Sequence, residues 1–306
     1  MSPLVSVIMP ARNVERFVDQ AVESVCRQTL DSLELIVIDD GSTDATPARV
    51  RSHAASDARI TVLSGEGRGP GAARNLGLAR ARGRWVSVVD ADDAILADRL
   101  ERLVRVVGTA QLAADNLTAF YDDGRPDRVW LQGGRWDADH DITLDAFLRS
   151  GIGGGATDQP GYLKPMFDRE WMQSKGLLYD EGLSIGEDYD LVARALAAGG
   201  VYRYLAEPGY RYRRHGGSIS HRIRADQLEA MIDAFGRLRP EIGEAEQRAL
   251  DRRVAMLVHD RQFVEVVEQL KIFSPRAALR AVSNTPLRRR LMRAVRDGLG
   301  RRLRRR

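Results

Sequence analysis

Cysteine is almost absent: the 306 residues contain one, Cys26. That excludes an internal disulfide framework and any cysteine-rich metal knot. Cys26 lies among Val22, Val25 and Leu30 and reads as a buried apolar residue rather than a nucleophile, a pattern that suits a reducing compartment. No stretch approaches the roughly 18 apolar residues of a membrane span. The amino terminus also lacks the basic region and long apolar segment of a signal peptide. The expected location is the cytoplasm, peripheral at the inner face of the cell membrane.

A basic body is missing as well. The formal charge is +4, but residues 288–306 hold 10 arginines and one aspartate, a local +9 that leaves −5 for the remainder. Such a body is not built to grip nucleic acid, and no specific nucleic-acid partner is expected. The apolar fraction of 43% is ordinary for a protein with a real core and excludes disorder throughout.

What is present is an alternation of strand and helix patterns. Residues 4–9 read as an opening strand closed by Pro10, and Phe17, Ala21, Val22 and Val25 then recur at helical spacing. Residues 33–38 form a second strand that delivers Asp39 and Asp40 at its end. Thr46 and Pro47 fit a helix cap and first helical position. A short strand at 59–63, a glycine-rich loop, an alanine-rich helix and a strand at 85–89 follow. This order predicts an α/β fold with a mostly parallel central sheet flanked by helices. Ligands of such sheets collect beyond the carboxyl ends of the strands, where Asp40 and Asp90 stand. Further on, the pattern predicts a strand near 116–121, a glycine-rich interruption at 151–155, a helix over 187–198 and a helical region over 225–282.

The buried strand before Asp90-Ala91-Asp92-Asp93 ends in three carboxylates, a costly arrangement unless cations or hydrogen bonds compensate them. A divalent ion shared with a diphosphate supplies that compensation, and oxygen ligands favour Mg²⁺ or Mn²⁺. The plain alternative is that Asp92 or Asp93 caps the next helix. Asp40, before Gly41, either accepts a nucleobase N–H or makes an Asx turn. Arg74, after Gly67, Gly69 and Gly71, either neutralises phosphate or lies on the surface. Glu187 and Asp188 either sit at a helix start for its dipole, or Asp188 takes a proton from an acceptor hydroxyl with Glu187 positioning the acceptor. His215 either meets a metal or diphosphate, or stacks on Tyr212. Trp130 and Trp136 read as core, and His53, His140, His221 and His259 show no ligand spacing.

Together these segments resemble the family two glycosyltransferases, the inverting group with a GT-A fold. The likeness rests on Val5-Ser6-Val7-Ile8-Met9-Pro10, Val37-Ile38-Asp39-Asp40-Gly41-Ser42-Thr43-Asp44, Gly71-Ala72-Ala73-Arg74-Asn75-Leu76-Gly77, Asp90-Ala91-Asp92-Asp93, Glu187-Asp188 and the His215 segment, and covers residues 4–221. It implies a UDP-sugar donor, with Pro10, Arg12, Asn13, Asp40, Arg74 and Asp90 at the nucleotide, Asp92 and His215 at the metal, and Asp188 as base beside Glu187. The reaction implied is a single displacement that converts an α-linked donor into a β-glycoside. One position departs: where relatives often carry an aromatic residue before the asparagine, this chain has Arg12. The stretch 162–221 further resembles bacterial exopolysaccharide glycosyltransferases of the succinoglycan type, implying a lipid-linked oligosaccharide acceptor. The expected organisation is a GT-A catalytic domain over 1–221, a helical C-terminal extension over 222–286 and an arginine-rich amphipathic tail over 287–306. In the tail, leucine, methionine and valine can enter an interface while arginines meet anionic lipid headgroups. Two other classes remain open: a sugar-phosphate nucleotidyltransferase, which lacks its basic glycine-rich signature at the first strand, and a noncatalytic carbohydrate- or lipid-binding protein.

Overall fold

The computed structural model describes residues 2–150, 159–215 and 223–271. The glycine-rich stretch 151–155, His221, the end of the expected helical region beyond 271, and the arginine-rich tail lie outside these residues.

The amino-terminal half is built from β1 (Val5–Ala11), α1 (Val18–Cys26), β2 (Leu33–Asp39), α2 (Thr46–Ser56), β3 (Ile60–Ser64), α3 (Pro70–Arg80) and β4 (Trp85–Val88). β1 and β2 are almost wholly buried because helices cover both faces of the sheet, which is why they read as unbroken apolar runs. α1 buries Val18, Ala21, Val22 and Val25 on one stripe, and each valine contributes about 1.5–3 kcal/mol relative to exposure. α3 lies close on the sheet because Gly77 has no side chain: a Cβ there would stand 2.5 Å from Ile8 Cγ2.

The chain continues through β5 (Ala94–Ile95), α4 (Arg99–Val107), β6 (Leu112–Phe120), β7 (Arg128–Val129), β8 (His140–Ile142), α5 (Leu144–Arg149), β9 (Met166–Asp168), α6 (Arg169–Ser174), α7 (Glu187–Ala197), β10 (Tyr202–Arg213), α8 (Ala225–Leu238) and α9 (Glu244–Lys271). One sheet runs in the order β3-β2-β1-β4-β9-β6-β10-β5, with β7 on β6 and β8 on β10. β3, β2, β1 and β4 pair in parallel, as do β6 and β10. The three-residue β9 runs antiparallel between β4 and β6, so the two parallel blocks point the same way. The expected mostly parallel sheet is thus present, joined across one reversed strand.

Several local expectations shift. The strand placed near 116–121 begins at Leu112. Thr46 is the first helical residue rather than a cap, because its hydroxyl accepts from Val14 N and its own N–H donates to Asp44. The helical region after 225 is two helices, separated by a short turn at Arg239–Glu241 that contains Pro240. Cys26 is half-buried against the core, with its thiol pushed up to about 11 chiefly by burial and then by Asp57. That makes it a poor nucleophile. Among the described residues, no helix is long and apolar enough to cross a membrane.

Candidate active site

A cavity of about 630 Å³ opens beyond the carboxyl ends of β1, β2 and β4. This lies within the range of small-ligand sites. One wall carries Pro10, Arg12, Asp40, Arg74, Asp90 and Asp92. Glu187 and Asp188 enter from the start of α7, while Leu228, Met231, Arg253 and Leu257 of α8 and α9 close the far side. The helical extension is therefore part of the cavity wall.

At its centre is a cluster of two cations and three carboxylates. Arg74, on α3, is nearly fully buried, not a surface arginine. Its Nη2 donates to Asp90 Oδ1 at 2.9 Å, its Nη1 donates to Glu187 Oε1, and Nη2 stands 3.7 Å from Asp188 Oδ2. Lys164 Nζ lies 2.7 Å from Asp90 Oδ2 and 2.5 Å from Asp188 Oδ2. Burial alone would raise the Asp90 carboxyl and lower the Lys164 ammonium. The mutual charges outweigh it, so Asp90 is held well below the usual carboxylate range and Lys164 well above the usual lysine value. Arg74 is likewise stabilised in its charged form, against burial, by Asp188, Glu187 and Asp90.

Glu187 and Asp188 occupy the first turn of α7, where the dipole favours them. Their side chains do not cap it, since the cap is Gly186 in the left-handed region at φ 80° and no side chain caps there. Asp93 does not cap a helix either. It accepts from Arg213 N at 2.7 Å and Tyr210 Oη at 2.7 Å, and burial, with Asp92 and Asp90, pushes it well above the usual range. Tyr210 Oη in turn accepts from Asp90 N at 3.1 Å, which ties β10 to the strand end. Asp92 points its Oδ2 at His215 Nε2, 3.0 Å away. The His215 ring tilts against Phe17 at 4.8 Å.

The residues expected at a nucleotide differ from expectation in detail. Asp40 is buried, and its two oxygens accept from Gly67 N and Gly69 N, both at 2.8 Å, so it braces the glycine loop. Asp40 makes no Asx turn, and its neighbour Asp39 accepts from Ser42 N, three residues on, at 3.2 Å. Arg12 is exposed, with Nη1 4.0 Å from Asp40 Oδ2. Asn13 does not line the cavity. At φ 53° it fastens two loops, accepting from Thr43 N at 2.8 Å and donating its own N–H to Ser42 Oγ at 3.0 Å. Trp130 and Trp136 are core residues, packed on Tyr162 and Tyr204 respectively.

Sequence reasoning missed Lys164. It follows the short turn at Pro160–Tyr162 and precedes β9, where no periodicity marks it. A weak signal existed, since the chain contains only three lysines among its 47 basic residues.

Asp92 and His215 are the protein ligands that a divalent cation could use. Both oxygens of Asp90 are already taken by Arg74 and Lys164, and no group of three or more His, Cys, Asp or Glu residues among the described residues forms a metal cage. One carboxylate and one imidazole fit a cation that draws its remaining ligands from a diphosphate and water.

A profile of "Glycosyl transferase family 2" matches residues 6–169, from β1 through β9. The succinoglycan biosynthesis protein ExoO of Rhizobium meliloti (strain 1021) is 38% identical over 290 residues, covering 93% of this chain and 82% of that protein. Among solved structures, S. aureus TarS 1-349 in complex with UDP-GlcNAc superposes with a TM-score of 0.65 at 21% identity, over 86% of this chain and 73% of that one. The mannosyltransferase PcManGT from Pyrobaculum calidifontis, in complex with GDP-Man and Mn²⁺, gives a TM-score of 0.57 at 19% identity, over 94% and 83%. Those two likenesses speak for the fold, and the profile and ExoO for descent: this chain belongs to glycosyl transferase family 2.

Proposed function

We propose that the protein transfers a hexosyl residue from a UDP-sugar, with inversion, to a hydroxyl of a lipid-linked oligosaccharide in bacterial exopolysaccharide synthesis. The observation that carries this reading is that Asp90 and Asp92 at a strand end and Asp188 at a helix start line one cavity. Similarity to a succinoglycan biosynthesis protein supports the exopolysaccharide setting, and the UDP-GlcNAc held by TarS supports a UDP-linked donor.

The chemistry follows from the residues. Asp188 takes the proton of the acceptor hydroxyl, whose oxygen attacks the anomeric carbon from the face opposite the diphosphate. The bond from that carbon to the phosphate oxygen breaks, and the nucleoside diphosphate leaves. Asp92 and His215 would hold a Mg²⁺ or Mn²⁺ ion, which when bound neutralises the charge of the leaving diphosphate. Arg74 keeps Asp90 and Glu187 in place around the base and adds positive charge beside the donor. Arg12, Asp40 and the glycine loop that Asp40 braces bound the nucleotide side, and Asn13 holds the neighbouring loops together.

The test is donor profiling of the purified chain with UDP- and GDP-sugars, a lipid-linked acceptor extract and either metal. Transfer from a UDP-sugar with release of UDP supports the reading. A requirement for a nucleoside triphosphate with pyrophosphate released would overturn it in favour of nucleotidyl transfer. Membrane attachment through residues 287–306 is tested separately by anionic-liposome sedimentation of the full chain and of a chain ending at residue 286. Unchanged salt-sensitive binding after truncation counts against it.

A further inference from the structure

We propose that Lys164 is a positioning residue for the catalytic base: it clasps one oxygen of Asp188 and ties it to Asp90, leaving the other oxygen to receive the acceptor proton. This rests on the glycosyl-transfer reading and deepens it.

Three observations carry the inference. Lys164 Nζ meets both Asp188 Oδ2 and Asp90 Oδ2, at 2.5 and 2.7 Å, so a single ammonium bridges the helix start and the strand end. All hydrogen bonds of the Asp188 side chain among the described residues fall on Oδ2, while the residue lines the cavity. The backbone of Lys164 is itself anchored, because its carbonyl accepts from Nη2 of the fully buried Arg99 at 2.6 Å. Arg99 is fixed by Asp115 at 2.9 Å. A lysine placed only to balance charge would not need its backbone pinned from the core. The pin, with Pro165 next in the chain, restricts where the ammonium can stand.

The geometry has a mechanistic consequence. A base is effective only when its proton-accepting oxygen is aimed at the attacking hydroxyl, and a carboxylate free to rotate presents the wrong atom part of the time. The clasp removes that rotation, and through Asp90 it links the base to the strand end that faces the donor. The groups facing Asp188 are Lys164 from the segment before β9, Asp90 just after β4 across the same ammonium, Arg74 from α3, Glu187 on its own helix, Tyr179 from the loop before α7 and, further off, Tyr202 of β10. Lys164 and Arg74 are the cations of this set, and Arg74 stands farther off at 3.7 Å.

The experiment compares full-length wild type, Lys164→Gln and Lys164→Arg, each checked for folding by thermal unfolding. It measures kcat, donor and acceptor KM, and the pH profile of kcat/KM. Lys164→Gln should lower kcat roughly 10- to 150-fold, the worth of one charged hydrogen bond. It should also move the acid limb of the profile up by about one pH unit or more. Lys164→Arg keeps the positive charge and should hold the limb near its wild-type position while recovering part of kcat. A Gln variant with wild-type kcat and an unmoved limb overturns the proposal. So does a rise in donor KM alone, which would make Lys164 a donor ligand. If Lys164→Gln does not fold, an Arg variant whose acid limb moves up as kcat collapses overturns it equally. Wild-type protein that turns over no nucleotide sugar sinks the functional reading, and this inference with it. Wild-type turnover matched by the Gln variant sinks this inference alone.

Discussion

Two buried ion clusters lie on opposite sides of one short segment. In the core, Arg99 and Arg102 converge on Asp115, with Arg99 and Asp115 fully enclosed. At the cavity, Arg74 and Lys164 converge on Asp90, Glu187 and Asp188, each of which keeps one face toward solvent. The first is closed at Arg99 and Asp115, and its outer cation, Arg102, is balanced at the surface by Glu207 at 2.9 Å and Asp98 at 3.6 Å. The second is open and formally one charge negative. A closed cluster can do no more than hold its elements together, because nothing can reach it. An open one holds its elements and still leaves carboxylate surface within reach of the cavity. Burial of charge by itself therefore does not mark an active site; the exposed edge does.

Substitutions in the two clusters should separate these roles. The largest effect is expected from Asp188→Asn: loss of transfer by about 10²- to 10⁴-fold in kcat, the usual worth of a general base, with the melting temperature little changed. Full transfer by this variant would remove Asp188 from the chemistry. Next, Asp115→Ala should cost about 3–5 kcal/mol of stability in chemical denaturation, because it strands Arg99 in the core. Activity per folded molecule should fall far less than in Asp188→Asn. If both variants lose activity equally at full folding, the contrast between the two clusters fails. Asp92→Ala should abolish the response to added Mg²⁺ or Mn²⁺, and full transfer under strict chelation would refute its place at the metal.

A pH series sharpens the comparison. Asp90 is depressed in the folded state, against burial, by Lys164 and Arg74, so its stabilising contribution is complete above the ordinary aspartate value of about 4. It is lost as pH falls through the lower folded value. Urea midpoints should drop on acidification below about pH 4 in wild type and drop less in Asp90→Asn. The smallest effect belongs to Arg12. Its exposed contact with Asp40 at 4.0 Å is worth at most about 1 kcal/mol, so Arg12→Ala should change donor KM by no more than roughly fivefold.

The strand-end acids were legible from the sequence because a buried strand announces itself by composition and its end is where ligands gather. Asp90 and Asp92 line the cavity for that reason, while Asp188 reaches it from the first turn of α7. Asp40 was legible in place but not in detail: nothing local revealed that the glycine loop would turn back and occupy both of its oxygens. Arg74 could be assigned to phosphate or surface, and neither reading foresaw three acidic neighbours drawn from two other elements. Lys164 left only the weak signal of lysine's scarcity, because its position depends on β9, three residues long and inserted against the direction of its neighbours. No periodicity exists in three residues, and its pairing is decided by the edges that β4 and β6 leave open.

That reversed strand also limits how the protein can be taken apart. β9 hydrogen-bonds β4 on one side and β6 on the other, so the block of the first four strands and the block of β6 and β10 share a seam rather than a linker. A chimera that joined the first four strands to a foreign second half would have to import the seam as well. Without it, two raw sheet edges would be left to find partners in other molecules. Recombination between relatives is then tolerated only at crossovers that keep β4, β9 and β6 from one parent, a constraint on engineered and natural exchange alike.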